Sequence, residues 1–156
     1  MRHIGIVFLI LLLTACQTFS DTDASPFKLN SSLEGGALVL SVNDKIQLLQ
    51  EEGDIVSFYT SADKKSIVLQ IEKLSTLTIL KVYKWNLVSK QYVADSTNIN
   101  KAAWQSLEQS HSIKAEDLES SHVYFLKWKG DDSLVVELRG HTAMGTYISE
   151  TAEVKY

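Results

Sequence analysis

The chain has 156 residues, with 15 Lys and Arg against 19 Asp and Glu and a formal charge of −4 at pH 7. This mildly acidic balance argues against nucleic acid as a partner, because nucleic-acid binding needs concentrated basic surface. The single cysteine, Cys16, leaves no possible internal disulfide, so the fold must rest on its hydrophobic core alone.

At the N-terminus, Arg2 supplies a short positive segment and Ile4 to Leu13 form an uninterrupted apolar run. The run is about half the roughly 20 residues that a membrane-spanning helix needs, and it has the length of a signal-peptide core. It ends in Leu13-Thr14-Ala15-Cys16. That tetrapeptide resembles the lipobox of bacterial lipoproteins, in which a leucine and two small residues precede an obligatory cysteine. The residue types suit the chemistry: Thr14 and Ala15 let an extended backbone enter a peptidase site, and a thiol can carry a thioether-linked diacylglyceryl group. The resemblance implies removal of residues 1–15, lipidation of Cys16 and acylation of the new amine. Two or more acyl chains anchor a protein stably where one holds only reversibly. Lipoproteins of the enteric type that stay in the inner membrane carry Asp after the cysteine. Gln17 therefore implies an outer-membrane anchor, with the domain facing the periplasm. Without Arg2 the remainder has 14 cations against 19 anions, a formal charge of −5. No polybasic segment assists binding to the bilayer, so the acylated cysteine must do the anchoring.

Residues 16–36 are polar and small and include the only proline, Pro26, which reads as the lipidated cysteine followed by a flexible tether. Asp21 and Asp23 belong to it as solvated linker residues. Residues 37–156 then read as a single β-rich domain. Leu38, Leu40 and Val42 alternate along a first strand, and Ile46 to Gln50 is ambiguous between strand and helix. In Ser66 to Glu72, Ile67, Leu69 and Ile71 point one way while Gln70 and Glu72 point the other; Leu134, Val136 and Leu138 repeat the pattern against Glu137 and Arg139. Such alternation predicts half-buried antiparallel strands, one face on the core and one in water. Turn sequences at Ser61–Lys65, Asn86–Lys90 and Lys129–Asp132 join strand pairs, and a last strand runs roughly from Thr146 to Val154.

One stretch departs from this rhythm. Asn100 is a candidate N-cap, and Ala103, Trp104 and Leu107 recur at helical spacing, which predicts one short helix near 100–110. A further turn or short helix is expected within 114–120. The fold class is mainly β: about eight short strands in a single antiparallel β-sandwich or partly closed barrel.

The chemistry is sparse. His111, His122 and His141 form no metal-ligand pattern, and Glu119 with His122 supplies only two ligands, so no metal site is expected. Asp131-Asp132 follow Gly130 in the tightest turn signal, where Asp is favoured for backbone reasons. Glu116, Asp117 and Glu119 read as a solvated face, and Gly35-Gly36 lacks the rest of a phosphate loop. No serine sits in Gly-x-Ser-x-Gly. No catalytic residue and no cofactor are therefore expected.

Two places remain as candidate contacts. Tyr83, Trp85 and Lys81 share a strand face and would make a mixed aromatic-basic binding patch, since aromatics dominate interface hot spots. Gly140 to Gly145 frames His141 and Met144 between glycines and would make a contact loop. Trp104 and Trp128 read as core. The sequence thus points to a non-enzymatic envelope lipoprotein that binds an envelope protein. The alternative is an inhibitor or immunity protein against a lysozyme or toxin, inserting the 140–145 loop into the enzyme's cleft.

Overall fold

The computed structural model describes residues 28–111 and 113–156, apart from the side chains of residues 109–111 and 115. Cys16 and the expected signal peptide lie outside them. The order is β1 (Leu29–Glu34), β2 (Ala37–Val42), β3 (Lys45–Leu49), β4 (Asp54–Thr60), β5 (Ser66–Leu74), β6 (Leu77–Asn86) and β7 (Gln91–Ala94). After these come the helix α1 (Ile99–His111), a 3-10 turn (Ala115–Asp117), β8 (Leu118–Lys129), β9 (Ser133–Thr142) and β10 (Tyr147–Lys155). The protein is mainly β, with a small sheet β1-β2-β3 and a larger curled sheet β10-β9-β8-β6-β5-β4, to which β7 adds on β6. It is a sandwich that is also part of a barrel, with one short α-helix.

The small sheet corrects the expected tether boundary. Leu29–Glu34, assigned to the tether, pair with Val42–Ala37 as an antiparallel hairpin. Gly35 and Gly36 turn it, with φ of 58° and 79°. Two consecutive residues at positive φ make the primed turn that matches the twist of paired strands. Asn43 and Asp44, with φ of 49° and 64°, do the same between β2 and β3. Ile46–Leu49 is therefore strand, not helix.

The central strands are buried on both faces, where the sequence predicts one wet face. On one side Ile67, Leu69, Ile71 and Tyr83 pack with Leu38, Leu40, Val42 and Leu49 of the small sheet. On the other, Val68, Leu80 and Val82 pack with Ile99, Ala103, Trp104 and Leu107 of α1 and with β8, β9 and β10. Gln70 lies buried rather than in water. Curling brings β4 against β8, where the rings of Tyr59 and Phe125 stack 4.5 Å apart. The half-buried pattern holds for β9 and β10, whose Leu134, Val136, Leu138, Ile148, Ala152 and Val154 all face the helix.

Not every pairing is antiparallel. β6 and β8 run parallel through Leu77↔Ser121 and Thr78↔His122, while β7 takes the far end of the same edge through Tyr83↔Ala94 to Asn86↔Gln91. Parallel neighbours need a crossover, and β7 with α1 supplies it. Between the two ladders, Leu80 has no strand partner on this side. Asn100 fills the gap: its Nδ2 donates to the Leu80 carbonyl at 3.3 Å and its Oδ1 accepts from the Leu80 amide at 3.3 Å. The Asp95 amide donates to the Val82 carbonyl at 2.8 Å. Asn100 is thus not the N-cap. Asn98 is, its Oδ1 accepting from the Lys101 amide at 3.0 Å.

Gly140, expected in a loop, lies inside β9. A Cβ there would meet the Ser120 carbonyl oxygen at 2.7 Å and the Trp104 ring at 3.3 Å. The missing side chain leaves room for the indole, which is 3% exposed and whose Nε1 has no hydrogen-bond partner among the described residues.

Two substitutions separate these roles by urea unfolding. Asn100→Ala leaves both Leu80 backbone groups without their side-chain partner on a part-buried strand edge and should cost about 2 kcal/mol, whereas Asn98→Ala should cost about 1 kcal/mol; the reverse ranking would return Asn100 to the cap. Gly140→Ala should cost about 1–3 kcal/mol through overpacking, and a neutral result would show that both the β8 main chain at Ser120 and the Trp104 ring can yield.

Candidate functional site

β4, β6 and β8 point the same way, so the β4–β5 turn, the end of β6 and the β8–β9 turn gather at one end of the large sheet. There they enclose a cleft of about 530 Å³, with Trp85, Trp128 and Tyr156 as aromatic walls and Lys65, Lys84, Asp63 and Asp131 among the polar groups.

Each wall is held from behind. In the β4–β5 turn, Asp63 Oδ1 accepts from the Ser61 hydroxyl at 2.6 Å and from the Lys65 amide at 3.0 Å, and the Ser61 oxygen accepts from the Ser66 amide at 2.9 Å. Burial opposes ionisation of Asp63, but these hydrogen bonds and the Lys65 charge outweigh it and hold the carboxyl below the usual range. Across the cleft, Tyr156 is tied to the β8–β9 turn. Its amide donates to the Asp132 carbonyl at 2.9 Å and its hydroxyl to the Asp131 carbonyl at 3.1 Å. The acidic pair therefore shapes the turn and also clamps Tyr156 through its main chain. The Tyr156 ring meets Trp128 edge-on at 6.0 Å, Trp128 meets Phe125 at 5.3 Å, and Trp85 meets Tyr92 at 5.3 Å.

Lys84 is held between two partners. Its Nζ lies 2.9 Å from Asp95 Oδ2 and 4.6 Å over the Tyr156 ring, near enough for cation–π attraction. Burial raises the Asp95 pKa, but hydrogen bonds from Thr97 and Lys84 prevail and bring it down to about 2.

Of the patch Tyr83, Trp85 and Lys81, only Trp85 reaches the cleft. Tyr83 is 7% exposed and lies beneath the small sheet. Its hydroxyl donates to Glu51, and Lys81 Nζ pairs with the same carboxylate at 2.7 Å. Burial, then the Glu51 carboxylate, push the Tyr83 hydroxyl well above its ordinary range. The three therefore make no continuous exposed platform, because the small sheet covers Tyr83 between them and Lys81 is tied to Glu51. Trp128, read as core, packs on the core and also lines the cleft.

His141 and Met144 lie at the opposite end. His141 is the penultimate residue of β9, its ring 5.0 Å from Tyr147 and its Nδ1 3.3 Å from the Ser120 hydroxyl. Met144, 92% exposed, tops the β9–β10 turn beside an open hollow lined by Glu116, Asp117 and Glu119. His122 Nδ1 sits 2.8 Å from the Thr78 hydroxyl, bracing the parallel ladder. Among the described residues, no three His, Cys, Asp or Glu side chains gather where they could hold a metal ion.

No family model matches the chain, and neither a curated protein nor a solved structure matches it. Half-buried aromatic rings rimmed by charges of both signs suit the capture of an apolar side chain together with its charged neighbours.

The Asp95 pairing has a pH signature. Its folded carboxyl titrates at about 2, below the value of about 3.9 for an unfolded Asp, so the stability it contributes is complete above about pH 4 and is lost as the pH falls towards 2. Asp95→Asn should flatten that acid limb in urea titrations; an unaltered limb would show that the pairing contributes nothing to folding.

Proposed function

We propose that this chain is an envelope lipoprotein, anchored through acylated Cys16 in the outer membrane and facing the periplasm, whose β-domain binds a protein partner without catalysing a reaction. The anchor rests on the lipobox-like Leu13-Thr14-Ala15-Cys16 that ends the short apolar run. The binding role rests on one observation above all, the cleft walled by Trp85, Trp128 and Tyr156. Large aromatics carry a disproportionate share of binding energy when a partner excludes water from around them. Here ring contacts hold Trp85 and Trp128 and hydrogen bonds hold Tyr156, so little order has to be created on binding. The partner segment would present an apolar anchor with flanking charge.

Met144 supports a second reading, the inhibitor or immunity protein. An almost fully exposed thioether at the tip of a tight hairpin is a side chain that an enzyme cleft could accept.

Crosslinking in living cells, followed by mass spectrometry of the tagged chain, separates the two. Tyr156→Ala should reduce capture of an envelope protein by about tenfold, the loss of one hot spot, with the circular-dichroism spectrum and membrane attachment retained. If Met144→Ala releases the partner instead, and that partner is a hydrolase or toxin, the inhibitor reading takes its place. Capture indifferent to both substitutions removes the cleft from the binding role.

A further inference from the structure

The small sheet buries Leu38, Leu40, Val42 and Leu49 but also carries large apolar side chains on its outer face. Along β3, Ile46 is 78% exposed and Leu48 is 56% exposed, while the polar Gln47 between them points inward. A sheet with one covered face ordinarily shows the reverse pattern. Slipping the register by one residue would bury both apolar side chains, yet the register is pinned. Gln47 Nε2 donates to the Tyr92 carbonyl at 2.6 Å, and its Oε1 accepts from the Tyr92 amide at 2.8 Å. Leu49 is meanwhile committed to the core. Ile46 and Leu48 are thus held outward by interactions that the chain has no need to break.

This apolar face lies beside the point where the anchored segment joins the fold. Asn30 pairs with Ser41 and Ser41 with Ile46, while Ser32 pairs with Val39 and Val39 with Leu48. One intervening strand puts Ile46 about 10 Å from Asn30, and the Leu48 row is only about 7 Å further along. Twelve residue steps lead back from Lys28 to Cys16, a reach of at most about 40 Å even when fully extended. One lysine borders the same end: Lys28, whose main chain is locked to the β2–β3 turn through the Asn43 side chain; Lys45 opens β3 but alternates to the side of Gln47 and Leu49. Asp44 lies in that turn, and Glu34, hydrogen-bonded to the Ser32 hydroxyl, is at the other end of the face. Apolar side chains with a lysine at their margin match the boundary between acyl chains and anionic headgroups, where a lysine stem lies on apolar surface and its ammonium group reaches the phosphates.

We propose that Ile46, Leu48 and Val39 rest on the lipid surface that holds Cys16, so that the small sheet seats the domain on the membrane. The inference depends on the anchor proposed above, and the test separates the two. With Cys16 alkylated by lipid, a cysteine introduced at an exposed position is the only free thiol in the chain. The full-length protein is prepared as Ile46→Cys, Leu48→Cys and, as a control, Met144→Cys, and each is labelled with an environment-sensitive fluorophore. Each is then reconstituted in vesicles of phosphatidylglycerol and acyl-brominated phosphatidylethanolamine. Mass spectrometry of the N-terminal peptide first establishes the lipid on Cys16.

Loss of most of the emission at positions 46 and 48, with position 144 unaffected, is the expected result. Undiminished emission at 46 and 48 in a lipidated chain overturns the seating and leaves the anchor standing. In that event, crosslinking of position 46 to position 46 of another molecule by a bifunctional maleimide would assign the face to a second copy. A blue-shifted but unquenched label would assign it to residues 17–27 of the same chain. An unmodified Cys16 removes both the anchor and the seating.

Discussion

The edge of β6 is the constraint on which the other elements depend. One strand edge serves two neighbours that approach from opposite directions, β8 at one end and β7 at the other. A part-buried backbone amide and carbonyl stranded between them would be costly. Asn100 resolves the conflict by presenting an acceptor and a donor to Leu80. That in turn fixes where α1 begins, and hence how Ile99, Ala103, Trp104 and Leu107 meet the sheet. Gly140 completes the fit, because the Ser120 carbonyl of β8 and the indole together take the volume that a side chain on β9 would need. The helix is therefore less an appendage to the β-sheet than the part that lets the sheet change partners.

Two-sided burial of β5 follows from the same arrangement. With α1 drawn onto one face of β6 and the small sheet laid over the other, Ser66 to Ile71 has no wet side. The same cover withdraws Tyr83 from solvent, while Lys81 stays partly exposed, and Glu51 takes both as partners at once. Trp85, near the end of β6 where the small sheet no longer covers it, becomes part of a cleft. A shift of a few residues along one strand thus separates structural aromatics from those able to meet a ligand.

Much of the fold was legible in the sequence for local reasons. Alternation in β2, β5 and β9, the turn residues and the spacing of Ala103, Trp104 and Leu107 depend only on near neighbours, and each strand or helix formed where these signals lay. Gly35-Gly36 and Asn43-Asp44 also carried local information, as pairs tolerant of positive φ, and that signal places β1 in the fold instead of the tether. The remainder was not legible because it depends on partners far apart in sequence. Nothing near Asn100 distinguishes a cap from a plug in a strand ladder. Nothing near Tyr83 announces that a sheet formed by residues 29–49 will cover it. The cleft itself joins residues from 61 to 156, and Tyr156 had no local pattern to mark it.

The parallel ladder between β6 and β8 also has a kinetic consequence. It consists of two residue pairs braced by one side-chain contact across 44 residues of chain, Thr78 to His122. Its neighbours, from β4 to β7 and from β8 to β10, are hairpins that close over short turns. Closing a long loop for so few bonds brings little return until the helix has docked. The chain is accordingly divided into two quickly formed meanders and one slow seam, and breathing motions of the folded protein should begin where it was last joined.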